Sequence, residues 1–360
     1  MKFGINLFPT TGPAEKSAAR HFEESLRLVE LAEELGFHHV KTVEHYFTPY
    51  GGYSPDPVVF LAAAAARTSR IRLVTGAVIP AFTHPVQLAG RLAMLDNISR
   101  GRLSVGFGRG FLPDEFAAFQ VPMDESRDRF TEGVEACRRL WSEEDVVWEG
   151  RFHRFGPVTL LPRPFQRPHP PILVATALSP ESCEAAGAAG HGLMMVPSIN
   201  RTEQVRAMLA RYRAAWDDAG HDPGDRDVHL SYNCYLAEDG DVALERGRVY
   251  SEHTNRALAA AVEPWTRTRS DAYRGYERVV ERVRGSDFGK QVRDGKALVG
   301  TPHEVLDRVH AIRGWFGDVT ISLQVISGNM PFEESQRSMR LFAEHVLPAF
   351  DQESAAVTAG

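Results

Sequence analysis

Between His39 and Phe107 the chain reads HVKTV (39–43), PVVFLAAAAART (57–68), IRLVT (71–75), PVQLAGRLAMLDNI (85–98) and LSVGF (103–107). The three short runs are apolar and rich in β-branched residues, as strands are; the two longer ones open on proline and carry helix-forming Ala and Leu. Strand, helix, strand, helix, strand is the alternation that builds a parallel sheet covered by helices.

The pattern extends in both directions. Lys2–Phe8 is a further strand, followed by a helical stretch from Arg20 to Gly36 with Phe22, Leu26, Val29 and Leu35 on or near one face. Beyond Phe107 come a helix at Ser126–Trp141 and strands at Ile172–Ala175, Leu193–Val196 and Val228–Leu236. Helices at Glu181–Ala189, Glu203–Ala219 and from Val242 separate them, and a last strand at Val319–Leu323 is closed by a helix at Glu333–Val346. Eight strands alternating with helices over the whole length predict a (β/α)8 TIM barrel, an α/β fold spanning 1–350 as one domain, with 351–360 as a tail. An open doubly wound sheet is the alternative, since strand count alone does not show closure. Two segments break the rhythm: Trp148–Pro171, read as a small hairpin and loop, and Glu263–Thr301, an Arg- and aromatic-rich insertion before the last strand, read as a lid or as a static surface excursion.

Composition narrows the class. The 360 residues are 43% hydrophobic and 24% charged, with formal net charge −6, and no Lys/Arg-rich segment favours nucleic acid. No apolar run reaches the roughly 18–20 residues that cross a bilayer, and the start lacks the pattern of a secretory signal. Cys137, Cys183 and Cys234 have neither disulfide nor zinc spacing, which suits reduced thiols in a cytoplasmic protein. His38, His39, Glu44 and His45 are close in sequence, but the strand between them separates the pairs by roughly 17–20 Å, so no metal is expected there.

In a barrel the reactive residues lie at the C-terminal ends of strands. That rule selects Glu44-His45-Tyr46, Gly76-Ala77, Gly106-Phe107-Gly108-Arg109-Gly110 and the start of the helix at Ser179-Pro180-Glu181-Ser182. His45 suits acid–base work, or is a hydrogen-bonded structural histidine. Gly108 with Arg109 lets backbone approach a ligand and grip a phosphate, or is a turn with a solvated arginine. Ser179 and Ser182 cap their helix, and the same N–H groups suit an anion. Neither GxGxxG nor a Walker lysine motif occurs.

Several stretches, in order, resemble the bacterial luciferase-like flavin-dependent monooxygenase family: Met1-Lys2-Phe3-Gly4, Glu44-His45-Tyr46-Phe47-Thr48, Thr83-His84-Pro85-Val86, Ser99-Arg100-Gly101-Arg102, Gly108-Arg109-Gly110, Met123-Asp124, Asp287-Phe288 with Lys290 and Arg293-Asp294, and Val299-Gly300-Thr301-Pro302. Within the family the likeness is to the catalytic alpha subunit of luciferase. The resemblance implies reduced FMN (FMNH2) bound on the barrel rim, O2 as co-substrate through a C4a-peroxyflavin, and a separate NAD(P)H:flavin reductase supplying the flavin. It implies His45, with Glu44, as catalytic residues, and Gly76, Ala77, Gly108, Arg109, Ser179 and Ser182 as cofactor-binding, with Arg109 and the serines on the FMN phosphate. Gly76-Ala77 matches a non-prolyl cis peptide.

This chain also departs from luciferase: Gly108 replaces a cysteine, Tyr46 the second histidine of a pair, and Pro197 a pocket tryptophan. With Lys290 and Arg293 of the lid, Tyr46 and Pro197 mark an altered substrate side. The expected substrate is an aldehyde, ketone or aromatic compound, such as a secondary-metabolite intermediate, and the expected assembly a homodimer through the helices at 57–68 and 85–98. An F420-dependent hydride-transfer enzyme, or a non-catalytic flavin-binding partner subunit, are the alternatives.

Overall fold

A computed structural model describes residues 1–177 and 179–350; the tail expected at 351–360 lies outside the described residues. Eight parallel strands close on themselves: β1 (Lys2–Leu7), β2 (His39–Thr42), β3 (Arg72–Thr75), β4 (Leu103–Phe107), β5 (Ile172–Ala175), β6 (Gly192–Met195), β7 (Val228–Leu236) and β8 (Thr320–Gln324). Each pairs with the next, and β8 returns to β1 with Lys2 opposite Thr320 and Asn6 opposite Gln324. The sheet is thus a closed barrel, and the open-sheet alternative falls.

Around it stand α1 (Ala18–Glu34), α2 (Pro57–Arg67), α3 (Pro85–Ile98), α4 (Ser126–Ser142), α5 (Pro180–Ala188), α6 (Thr202–Asp218), α7 (Gly240–Val262), α8 (Pro302–Phe316) and α9 (Phe332–His345). Their starts follow local chemistry. Asp56 accepts hydrogen bonds from Val58 N and Val59 N ahead of Pro57, and Ser179 accepts one from Ser182 N ahead of Pro180. The buried face of α1 runs through His21, Ser25, Leu28, Val29 and Ala32, and Phe22, one position round the helix from His21, falls outside it and is exposed.

The barrel interior is unusually polar. His39 Nε2 lies 2.8 Å from Ser322 Oγ, its ring is 4.8 Å from that of His229, and His229 Nε2 is 2.9 Å from Asp227 Oδ2. Burial holds His39 well below the ordinary imidazole range, so it is neutral. The apolar core lies instead between strands and helices, where Ile5, Val40, Leu73, Val105 and Ile321 are sealed from solvent.

The hairpin expected after α4 is present, Val146–Glu149 against Arg154–Val158. The 263–301 insertion is less uniform than its composition suggests. Residues 263–284 form short helical turns over the rim, Phe288–Arg293 is a short helix on the outside, and Leu298–Gly300 is an extra strand paired with the end of β7. All three cysteines are buried and free. No helix among the described residues is long and apolar enough to cross a membrane, and none of their His, Cys, Asp and Glu groups is placed to hold a metal ion.

One surface carboxylate locks the α2–β3 connection. Glu33, near the end of α1, accepts hydrogen bonds from Ser69 N, Arg70 N and Ile71 N. Partial burial pushes its pKa up, but these N–H donors outweigh it and bring it down to about 2. The stabilisation is therefore complete above the unfolded value of about 4.3 and is lost as pH falls through about 2. Glu33→Gln should cost about 1–2 kcal/mol at neutral pH. In thermal melts its deficit against wild type should shrink as the pH is lowered from about 4.3 to about 2.

Candidate active site

The C-terminal ends of the strands open into one cavity of about 770 Å³, within the range of small-molecule and cofactor sites. Its width comes from missing side chains. A Cβ at Gly76 would sit 2.3 Å from Lys41 Cγ, and one at Gly108 would sit 3.1 Å from Ala77 Cβ. The Gly76–Ala77 peptide between them is cis. Gly76, Ala77, Gly108 and Ala175 therefore form a strip of backbone with almost no side chain, along which a flat ring system can lie.

His45 stands at one end of this strip, only 8% exposed. Its Nδ1 lies 3.0 Å from Glu115 Oε1, and the same oxygen accepts a hydrogen bond from Tyr46 N at 2.9 Å. Glu115 comes from a six-residue helix, Pro113–Ala118, that opens shortly after β4. Holding Nδ1 leaves Nε2 as the ring nitrogen for a ligand, the arrangement by which a carboxylate fixes a histidine's tautomer and plane. Phe8, Tyr50 and Phe111 surround the imidazole, with ring centroids 5.7, 5.3 and 5.8 Å away.

Glu44 also lines the cavity, but both its oxygens are engaged. Oε1 accepts from the Tyr46 hydroxyl at 2.7 Å and Oε2 from Ile79 N at 3.0 Å. Burial pushes its carboxyl up to about 8, against the lowering effect of those two donors. It is a clasp between the ends of β2 and β3.

At the opposite end lies an anion cradle. Ser182 Oγ and Ser179 Oγ are 3.1 Å apart at the start of α5, and Arg127, from the first turn of α4, donates to Ser182 Oγ at 3.4 Å. Arg109 lines the same cavity. Its guanidinium donates to Ala272 O at 2.9 Å and lies 4.1 Å from the centre of the Tyr273 ring. Tyr273 in turn donates to Gly110 O at 2.6 Å, and Asp124 accepts from Ser270 Oγ and Ala272 N. The 270–276 stretch is thereby fastened over the rim.

The structure thus gathers His45, Glu44, Gly76, Ala77, Gly108, Arg109, Ser179 and Ser182 around one cavity. Four other expected site residues stand elsewhere. Lys290 and Arg293 are exposed and paired with Asp294 and Asp287. Their helix docks through Phe288 and Val292 on a cluster with Tyr235, Ala243, Tyr250 and Val299, which turns both cations away from the cavity. Pro197 is buried in a single turn, so its neighbours Val196 and Ile199 form the wall. Tyr46 packs on Phe119 and serves Glu44 rather than the cavity. Sequence reasoning missed Glu115, Arg127 and Lys41. Glu115 is 70 positions from its partner, and no spacing rule links the two.

Residues 1–318 match the family model described as luciferase-like monooxygenase. The crystal structure of monooxygenase RslO1 from Streptomyces bottropensis is 68% identical, with a TM-score of 0.89 over 97% of this chain and 100% of that one. The oxygenase component of a flavin-dependent trigonelline monooxygenase from Acinetobacter baylyi is 28% identical over 360 residues, covering 98% of this chain and 96% of the relative. A coenzyme F420-dependent tetrahydromethanopterin reductase from Methanopyrus kandleri shares the fold at 22% identity and a TM-score of 0.69, over 97% of this chain and 99% of its own. The barrel alone therefore does not choose between flavin and F420 chemistry.

Because the folded-state pKa of Glu44 is raised, its protonated form is favoured by folding. That contribution is full below about 4.3 and is lost as pH rises through about 8. Glu44→Gln keeps an acceptor for Ile79 N and removes the titration. Its stability relative to wild type should therefore rise with pH, opening a gap of about 1–3 kcal/mol in denaturant melts on the alkaline side of about 8.

Proposed function

The chain belongs to the luciferase-like monooxygenase family, and from that premise we propose that it is the oxygenase of a two-component system, using reduced FMN and O2 to oxygenate an organic substrate. The observation that carries this reading is the single cavity holding the His45–Glu115 pair at one end and the serine–arginine cradle at the other, joined by the glycine and alanine strip. The residues present fit FMN. Ser179, Ser182, Arg127, Arg109 and the N-terminus of α5 would hold its phosphate. Gly76, Ala77, Gly108 and Ala175 would take its ring.

When bound, reduced FMN supplies the two electrons with which one oxygen atom of O2 enters the substrate and the other leaves as water. The protein's share is positioning and proton control. His45 Nε2, with Nδ1 held by Glu115, accepts or returns a proton at the reacting oxygen. Glu44 acts as a positioning residue through Ile79 and Tyr46. The 270–276 stretch, fastened to Arg109, limits access of water. Phe111, Val196, Ile199 and Tyr276 make the remaining wall largely apolar, which suits a ketone, aldehyde or aromatic substrate. An NAD(P)H:flavin reductase would supply the reduced flavin, as the phrase "oxygenase component" in the relative's name supports.

The test is to mix the protein anaerobically with reduced FMN and then pulse with oxygen. Wild type should slow reoxidation relative to free flavin, and Arg109→Ala with Arg127→Ala should remove the delay. His45→Ala should lower substrate turnover on the order of 10²-fold while leaving FMN binding intact. Reoxidation at the free-flavin rate, together with tight binding of F420, would identify a hydride-transfer enzyme instead.

We also propose a homodimer built on α2 and α3, where Val59, Met94 and Ile98 lie exposed at 68%, 53% and 49%. Light scattering should give twice the 40.0 kDa chain mass, and Val59→Glu with Met94→Glu should reduce it to one chain.

A further inference from the structure

The cavity floor carries a charge that neither the flavin cradle nor the His45 pair uses. Lys41 points inward from β2 and is 2% exposed. Its stem passes directly beneath Gly76, and its ammonium donates to Ser231 Oγ of β7 at 2.7 Å. An ammonium has three donors, and among the described residues no carboxylate forms an ion pair with this one. Asn6, opposite Lys41 in the β1–β2 register, lines the same floor at 4% exposure, and its Oδ1 is buried without a partner among the described residues.

The charged and titratable groups nearby do not complete the site. Asp227, immediately before β7, attracts the ammonium, but its oxygens already serve His229 and Thr320. His39, on the same strand as Lys41, is held neutral, and Glu44 at the end of β2 is committed to Tyr46 and Ile79. Burial draws the Lys41 ammonium down to about 7. A half-satisfied buried cation beside an unpartnered amide oxygen is unfavourable unless a ligand completes both.

We propose that Lys41, Ser231 and Asn6 form an anion subsite on the cavity floor, holding the negatively charged edge of a planar ring. Lys41 takes the charge, and Asn6 Oδ1 accepts a neighbouring N–H or O–H. Two ligands share this chemistry, the deprotonated ring of reduced flavin and the phenolate or enolate of an organic substrate. Only the first rests on the flavin reading above.

The test uses the whole chain, Lys41→Met and Lys41→Arg, with two probes. In the first arm, affinities for reduced and oxidised FMN are measured anaerobically. Wild type should prefer the reduced form, and Lys41→Met should lose about tenfold of that preference while Lys41→Arg keeps it. In the second arm, 4-nitrophenol buffered below its own ionisation should show its phenolate band on binding to wild type and to Lys41→Arg, but not to Lys41→Met. A loss in the first arm assigns the subsite to flavin, and a loss in the second assigns it to substrate. Unchanged behaviour in both arms, in a Lys41→Met protein with wild-type melting, overturns the proposal and leaves Lys41 as packing. Should Lys41→Met not fold, Lys41→Gln replaces it; wild type favouring neither anion overturns the proposal without any variant. If no FMN binds in either redox state, the flavin reading fails, and the 4-nitrophenol arm still decides the subsite.

Discussion

Everything at the rim depends on the ends of β3 and β4 having room for backbone only. At Gly106 an added Cβ would lie 2.1 Å from Thr75 O, and at Gly76 it would meet the stem of Lys41. The barrel is closed by continuous pairing, so neither strand can step aside to admit a side chain. The cavity is therefore a consequence of closure plus glycine. Any residue larger than glycine at these positions would have to be accommodated by the very groups, Lys41 and Thr75, that line or brace the floor.

Tyr46 shows how the walls of that cavity are fixed. Its N–H goes to Glu115 and its hydroxyl to Glu44, so one residue joins two buried carboxylates with different tasks. Glu115 holds the His45 imidazole; Glu44 holds Ile79 N, three residues beyond Gly76. The imidazole and the cis peptide are thus referenced to a common strut, and their separation is set by hydrogen bonds rather than by packing alone. The network rests on Glu115 Oε1 and the two Glu44 oxygens, since Glu115 Oε2 is buried without a partner among the described residues. That is why a residue outside the cavity governs geometry inside it.

The barrel was readable from sequence because its strands are covered on the outside by helices and appear as short apolar runs, while Asp56-Pro57, His84-Pro85 and Ser179-Pro180 announce helix starts. Strand-end placement then collected His45, Gly76, Ala77, Gly108, Arg109, Ser179 and Ser182 without any coordinates. What it could not supply were partners distant in sequence and the direction in which an insertion packs. Glu115 lies 70 residues from His45, and Lys41 sits inside HVKTV, where one lysine in a strand reads as an edge or a solvated face. Leu298–Gly300 is too short to announce itself. The helix after it was not read from the sequence either, although in the structure Thr301 and Glu304 form a capping box around Pro302. Lys290 and Arg293 belong to a stretch that matches the family pattern, but the docking of Phe288 decides which way they face.

The two arginines of the cradle are not equivalent, and their present contacts show how they differ. Arg127 is exposed and makes a single long hydrogen bond to Ser182, so little holds it where it stands. Arg109 is half-buried, stacked on Tyr273 and bonded to Ala272 O, and Tyr273 returns a bond to Gly110 next in sequence. A guanidinium has five N–H donors in a planar fork, so Arg109 can keep Ala272 and still offer hydrogens to an anion. Its position is then shared between anion and rim: withdrawing it frees the 270–276 stretch at one of its anchors, leaving the Tyr273 bond to Gly110 O and the Asp124 contacts. Arg127 adds charge at the α5 N-terminus, whereas Arg109 joins that charge to the cover over the cavity. Losing Arg109 disturbs both the cradle and the cover, and losing Arg127 disturbs the cradle alone.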